Sequence, residues 1–242
     1  MKINIFKTEE EVLVNLAAYF VTIARQAINE KGKCSVALSG GNSPKKLYEI
    51  LSSPGFKDQV EWRKLDFFFG DERYVPQTDI QSNYLMAKKA LFDPLSIDSI
   101  HIFAVDTSLQ PNEAAEKYAK TIFSYFGGEP MKFDIVLLGL GDNAHTASLF
   151  PNTPVLHDTN ASVKAVFLED QEAYRITLTA PLINQAHCIV FLVYGESKAI
   201  AVKQVIESNK DIEHFPAQLV QPTSGRLDWF LDEASAMYLK LV

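Results

Sequence analysis

Short apolar runs alternate with longer stretches whose apolar positions recur at helical spacing. Leu13, Leu16, Ala17, Phe20, Ala24 and Ile28 repeat every three or four residues until Gly32, behind a Thr8-Glu9-Glu10-Glu11 capping box, and predict an amphipathic helix laid on a sheet. Ser35 to Leu38, Leu65 to Phe69 and Phe133 to Leu138 are compact and apolar, as buried strands are. Asn83 to Leu91 and Glu113 to Phe126 read as helices, the latter with Ala115, Tyr118, Ala119 and Ile122 on one face, and Ile100 to Phe103 reads as a strand between them. Ser162 to Leu168 and Tyr174 to Thr179 alternate as strands, and Ile189 to Tyr194 is a fully apolar strand followed by a helix to about Glu207. Arg226 to Leu231 and Asp232 to Leu241 predict a last strand and helix. Strands and helices thus alternate with no internal repeat. This predicts an α/β fold with a mainly parallel sheet and helices on both faces, Rossmann-like, in a single domain over 1–242.

Composition narrows the class. The 242 residues are 47% hydrophobic and 22% charged, the range of an ordinary globular protein with a full core. A net charge of -7 argues against a nucleic-acid backbone as partner but leaves room for a small anion, because a local cluster of Arg and Lys dominates within about one Debye length, roughly 8 to 10 Å. The charged N-terminus, Met1 to Glu11, does not make a secretory core, and no apolar run approaches the length of a membrane span, so no membrane partner is expected. Cys34 and Cys188 each lie in a strand-like segment and read as structural thiols in a reducing, cytoplasmic setting. No H-E-x-x-H motif or Cys/His cluster points to a metal, no G-x-S-x-G elbow points to a serine nucleophile, and nothing specifies an oligomeric state.

The candidate chemistry collects at strand ends, where open α/β sheets place ligands. Phe133 to Leu138 breaks at Gly139 and Gly141 and delivers His145 to that edge; Asp142 reads equally as a helix-type cap or as a partner orienting the imidazole. Ser39-Gly40-Gly41-Asn42-Ser43-Pro44 links a strand to a helix, with Ser43 as expected N-cap and Pro44 at the first helical position, and its amides form a candidate anion site. It matches neither the dinucleotide fingerprint nor the nucleotide P-loop. After Leu65 to Phe69, Asp71 and Arg73 share one side of an extended segment while Glu72 points away, read here as a solvated loop acid. Arg175 opens a strand, either as a surface residue or as a planar fork for a phosphate. Lys198 falls in a first helical turn, a placement the helix dipole disfavours and a bound anion would explain. His101, His157, His187 and His214 read as structural.

Taken together, Ser39 to Pro44, Gly70-Asp71-Glu72-Arg73 and Gly139-Leu140-Gly141-Asp142-Asn143-Ala144-His145-Thr146-Ala147-Ser148-Leu149-Phe150-Pro151 resemble the 6-phosphogluconolactonase family, whose fold is shared with glucosamine-6-phosphate deaminase and ribose-5-phosphate isomerase. The Arg175 run, Gly195 to Ala199 and Asp228-Trp229 match in the same order, so the resemblance spans nearly the whole chain. It implies hydrolysis of 6-phospho-D-glucono-1,5-lactone to 6-phospho-D-gluconate, the second step of the oxidative pentose phosphate pathway, with a phosphosugar lactone as the small-molecule partner and no cofactor. Carried over residue by residue, it makes His145 the base that activates water and Asp142 the holder of its tautomer. Arg73 orients water or stabilises the oxyanion, and Asp71 fixes the sugar ring or Arg73. Gly40, Gly41, Asn42, Ser43, Arg175 and Lys198 clamp the phosphate.

Two departures stand out from the family pattern. Asn143-Ala144 replaces the usual Asp-Gly before the histidine, and Gly-Gly-Asn-Ser replaces Gly-Gly-Ser-Thr in the loop. If the glycine served close packing alone, Ala144 is tolerable; if it needs a positive φ, alanine costs about 1 kcal/mol and tilts His145. An amino-sugar phosphate deaminase or isomerase is the alternative activity, but it wants a carboxylate soon after the histidine, and the next acid here is Asp158. A non-enzymatic sugar-phosphate sensor is the other alternative, and the presence of both His145 and Arg73 argues against it.

Overall fold

Residues 1–240 are described by the computed structural model. In chain order the elements are β1 (Lys2–Phe6), α1 (Glu9–Lys31), β2 (Cys34–Leu38), α2 (Asn42–Leu51), β3 (Leu65–Phe69), β4 (Asp71–Arg73), α3 (Asn83–Ala87), α4 (Asp93–Leu95) and α5 (Pro111–Phe126). They continue as β5 (Ile135–Leu138), β6 (Val163–Leu168), β7 (Ala173–Leu178), α6 (Ala180–Ile183), β8 (Cys188–Val193), α7 (Ala199–Glu207), β9 (Arg226–Asp232) and α8 (Glu233–Ala236). Six strands form one sheet in the order β1-β9-β8-β5-β2-β3, every neighbouring pair parallel.

The central strands are apolar throughout because both faces of the sheet are covered. With a side-chain period of two, Val36, Phe67, Phe69, Ile135, Leu137, Val190 and Leu192 point to one layer, where they pack under α1 and α2. Ala37, Phe68, Val136, Leu138, Ile189, Phe191 and Val193 point to the other, with α5 and a second sheet. That second sheet is antiparallel, ordered β4-β7-β6, and its Val163, Val166, Leu168, Ile176 and Leu178 join the same core. The expected parallel sheet is present, but β6 and β7 belong to this smaller antiparallel unit, whose role is to hold β4 beside the strand ends.

Several boundaries differ from expectation for local reasons. Lys2 to Phe6 forms an edge strand absent from the expected elements; Ile3 and Ile5 turn to one layer and Phe6 to the other, a weak signal in five residues. Ile100 to Phe103 is not a strand. The Asp98 carboxylate accepts from the Ile100 amide at 3.1 Å and winds Ser99–His101 into a 3-10 turn, leaving a lone bridge between Phe67 and Ile102. The helix after Asn83 passes through a π turn at Lys88–Phe92. The expected helix over Asp232 to Leu241 is confined to Glu233–Ala236, capped by Asp232 accepting from the Ser235 amide at 2.7 Å; Leu241 lies outside the described residues. The 23-residue α1 is long and apolar enough to cross a membrane by length and composition, contrary to the reading of the sequence. Ten of its residues, from Val12 to Ile28, are instead buried within the fold.

In the layer shared with α5, the fully buried Phe68 is stacked on Phe103 at 4.4 Å between centroids and edge-on to Tyr125 and Phe133. Phe68→Ala is expected to lower the unfolding free energy by about 3–5 kcal/mol in a urea titration, since the rigid sheet backbone prevents collapse of the cavity.

Candidate active site

The carboxyl ends of β2, β3, β5 and β8 run into Ser39-Gly40-Gly41, Gly70, Gly139 and Tyr194-Gly195, and these loops enclose a cleft of about 380 Å³. All the residues expected from the sequence line it except Asp142.

His145 reaches the cleft on a closed turn. The Ala144 amide donates to the Gly141 carbonyl at 2.9 Å, and the Gly141 amide donates back to the His145 carbonyl at 2.8 Å. Gly141 cannot be larger, because a Cβ there would lie 2.1 Å from Cε1 and Nδ1 of the imidazole. Phe150 stacks on the ring at 3.9 Å between centroids. Burial foremost, then the charge of Lys198, pushes the His145 pKa down to about 4, with Arg175 and Arg73 acting in the same direction and Asp142 opposing them. The imidazole is therefore neutral at physiological pH.

Asp142 does not hold the ring. Its carboxylate is exposed and pairs with the Lys198 Nζ at 2.7 Å, while Nδ1 of His145 meets the Asn143 side-chain oxygen at 2.5 Å. The tight turn sends Asp142 outward and brings Asn143 over the ring, so the orienting contact falls to a residue the sequence reading gave no role. Nor does Asp142 serve as the N-cap of a helix, since no helix follows it.

Asp71 and Arg73 face the cleft from β4, as their spacing predicts, and Arg73 sits directly opposite Arg175 of β7. Asp71 is buried, accepts from the Ser148 hydroxyl at 2.6 Å, and has its pKa raised by that burial against the opposing pull of Ser148, Arg73 and Arg175. Glu72 is no solvated acid: it is 2% exposed. Its carboxylate accepts from the amides of Arg73 at 2.8 Å, Asn83 at 2.6 Å and Tyr84 at 2.8 Å, and from the Ser82 hydroxyl at 3.1 Å. It satisfies the start of α3 and fastens that helix behind β4. Arg73 in turn donates to the Gln81 carbonyl at 2.8 Å. The signal in the sequence is indirect: β4 sits between layers, so the side pointing away from the cleft points into protein.

The glycine loop also begins its helix earlier than expected. Gly41, at φ 99°, takes the cap position and Asn42 opens α2, so Ser43 lies inside the first turn rather than capping it. This leaves the Asn42 and Ser43 amides at the helix start, where an anion is favoured. Gly40 is required by packing, since a Cβ there would lie 1.9 Å from the Asn83 side-chain oxygen. Lys198 ends a 3-10 turn just before α7. Arg175 is half-buried, its pKa lowered first by burial and then by Arg73, and it donates to Gln171 at 2.6 Å. Two guanidinium groups, one ammonium and free helix amides thus converge on one cleft.

Three measurements check this geometry. The His145 ring is expected to titrate near pH 4 by NMR, well below an ordinary histidine at about 6.5. Because the unfolded chain takes up that proton first, stability should fall as pH drops from about 6.5 to about 4, and His145→Gln should flatten that part of the curve. Glu72→Ala leaves the buried amides of Asn83 and Tyr84 without acceptors and should lower the unfolding free energy by about 2–4 kcal/mol, read in urea.

Residues 7–229 match the family model described as glucosamine-6-phosphate isomerases/6-phosphogluconolactonase. A curated 6-phosphogluconolactonase of Synechocystis sp. is 38% identical over 236 residues, covering 96% of this chain and 95% of the relative. One from Nostoc sp. is 39% identical over 219 residues, covering 89% and 88%. The solved 6-phosphogluconolactonase from Trypanosoma cruzi superposes with a TM-score of 0.88 at 29% identity, covering 99% of this chain and 97% of that one. The strand order, the cleft and these full-length similarities agree, and the chain belongs to the glucosamine-6-phosphate isomerase/6-phosphogluconolactonase family.

Proposed function

We propose that this chain hydrolyses 6-phospho-D-glucono-1,5-lactone to 6-phospho-D-gluconate, acting as one domain in the cytoplasm. The observation that carries this reading is a histidine held neutral in the same cleft as Arg73, Arg175, Lys198 and the free amides of the glycine loop. Such a cleft offers a base and an anion clamp together. In the proposed reaction His145 takes a proton from water as the oxygen attacks the lactone carbonyl, and Arg73 balances the oxyanion that forms. Collapse of that intermediate breaks the ring C–O bond, and the imidazolium returns its proton to the departing ring oxygen. The product carboxylic acid then ionises, so each turnover releases one proton near neutral pH. Arg175, Lys198, Gly40, Gly41, Asn42 and Ser43 would hold the phosphate, Lys198 exchanging Asp142 for it.

The deaminase alternative is supported less well. Asp158, the first acid after the histidine motif, pairs with Lys164 at 3.1 Å and does not line the cleft.

Proton release on mixing the protein with fresh lactone, measured against the spontaneous rate, tests the reading. Wild type should accelerate opening, and His145→Ala should lose about 100-fold or more in kcat while still binding 6-phosphogluconate. Gly141→Ala should lose activity comparably by displacing the ring. Lys198→Ala should instead raise KM by about tenfold or more, as expected for a lost charge-assisted contact. No acceleration by wild type despite tight 6-phosphogluconate binding would move the weight to a sensor.

A further inference from the structure

We propose that Asn143 is the positioning residue for His145, its side-chain oxygen keeping the ring proton on Nδ1 so that Nε2 is the free base. The two atoms are 2.5 Å apart. The direction of the amide follows from a second contact: the backbone N–H of His145 approaches the same oxygen at 3.4 Å, and an N–H donor is served only by the oxygen end of the amide. An oxygen facing Nδ1 in turn requires that nitrogen to be the protonated one. The ring cannot drift away from this partner, because Gly141 packs against its Cε1–Nδ1 edge and Phe150 against its face.

The chemical identity of the partner matters as much as its position. A carboxylate at Nδ1 would fix the same tautomer and also stabilise the imidazolium; an amide fixes the tautomer alone. The charged groups facing the ring are Lys198, Arg175 and Arg73, with Asp142 the one acid among them and itself engaged by Lys198. Three cations against one paired acid disfavour a protonated ring. Asn143 adds no charge to offset them, so the base stays free in acid solution and is correspondingly weak.

The kinetic arm of the test rests on lactone hydrolysis; the spectroscopic arm does not. Nitrogen-15 spectra of the imidazoles, with His145 assigned through His145→Gln, should show the proton on Nδ1 in wild type. Asn143→Asp should keep that tautomer and raise the His145 midpoint by about 1 pH unit or more, moving the acid limb of kcat/KM upward with it. Asn143→Ala should shift the tautomer towards Nε2–H and lower kcat about tenfold or more, with KM within about twofold and the thermal midpoint little changed. A wild-type proton on Nε2, an unmoved midpoint in Asn143→Asp, or an unchanged tautomer and kcat in Asn143→Ala would each overturn the proposal. If the spectra behave as expected but wild type opens no lactone, the positioning role stands and the lactonase reading falls.

Discussion

Everything in the cleft depends on a parallel sheet that is dry on both faces. Residues of β2, β3, β5 and β8 alternate between two packed layers, so none of these strands can slide without turning a full row of apolar side chains the wrong way. The loops at their carboxyl ends inherit that rigidity. Gly141 and Gly40 each meet a neighbouring side chain at a distance no Cβ would survive, and such contacts are useful only where the backbones on both sides are fixed. The imidazole and the helix amides are therefore held by the sheet rather than by one another.

Charge in the cleft is arranged on the same frame. Asp71 is buried beside Ser148 and feels the charge of Arg73 and Arg175 without pairing with either, and Asp142 occupies Lys198 from the rim. The two acids differ in how they are held. Asp71 is tied down by Ser148 within the protein, whereas Asp142 is a solvated partner on a turn. An incoming dianion can displace the second far more cheaply than the first, since an exposed ion pair contributes at most about 1 kcal/mol. That asymmetry leaves Lys198 as the adjustable cation and Arg73 with Arg175 as the fixed ones.

Much of this was legible in the sequence. A strand breaking at Gly139 and Gly141 announced His145, and the two-residue spacing of Asp71 and Arg73 announced a shared face, because both signals depend only on local backbone geometry. Glu72 departs from the solvated acid its local pattern predicts because its environment is set by α3, which packs behind β4 from eleven residues away and leaves no mark on that pattern. The contact expected of Asp142 falls to Asn143 for a similar reason. Both lie within reach of His145 along the chain, and only the handedness of the turn decides which of them meets the ring.

That handedness rests on Ala144. It adopts a φ of 60°, so the position does call for the left-handed conformation that glycine takes freely. Alanine there costs about 1 kcal/mol of strain. Its methyl is nevertheless fully buried in the core beside the turn, and removing that much apolar surface from water returns about 0.8 kcal/mol. The Ala144 carbonyl is further tied to the Ala217 amide at 3.0 Å. Strain and burial nearly cancel, which explains how the turn keeps its shape and His145 its stacked, neutral position without the glycine that the family usually places there.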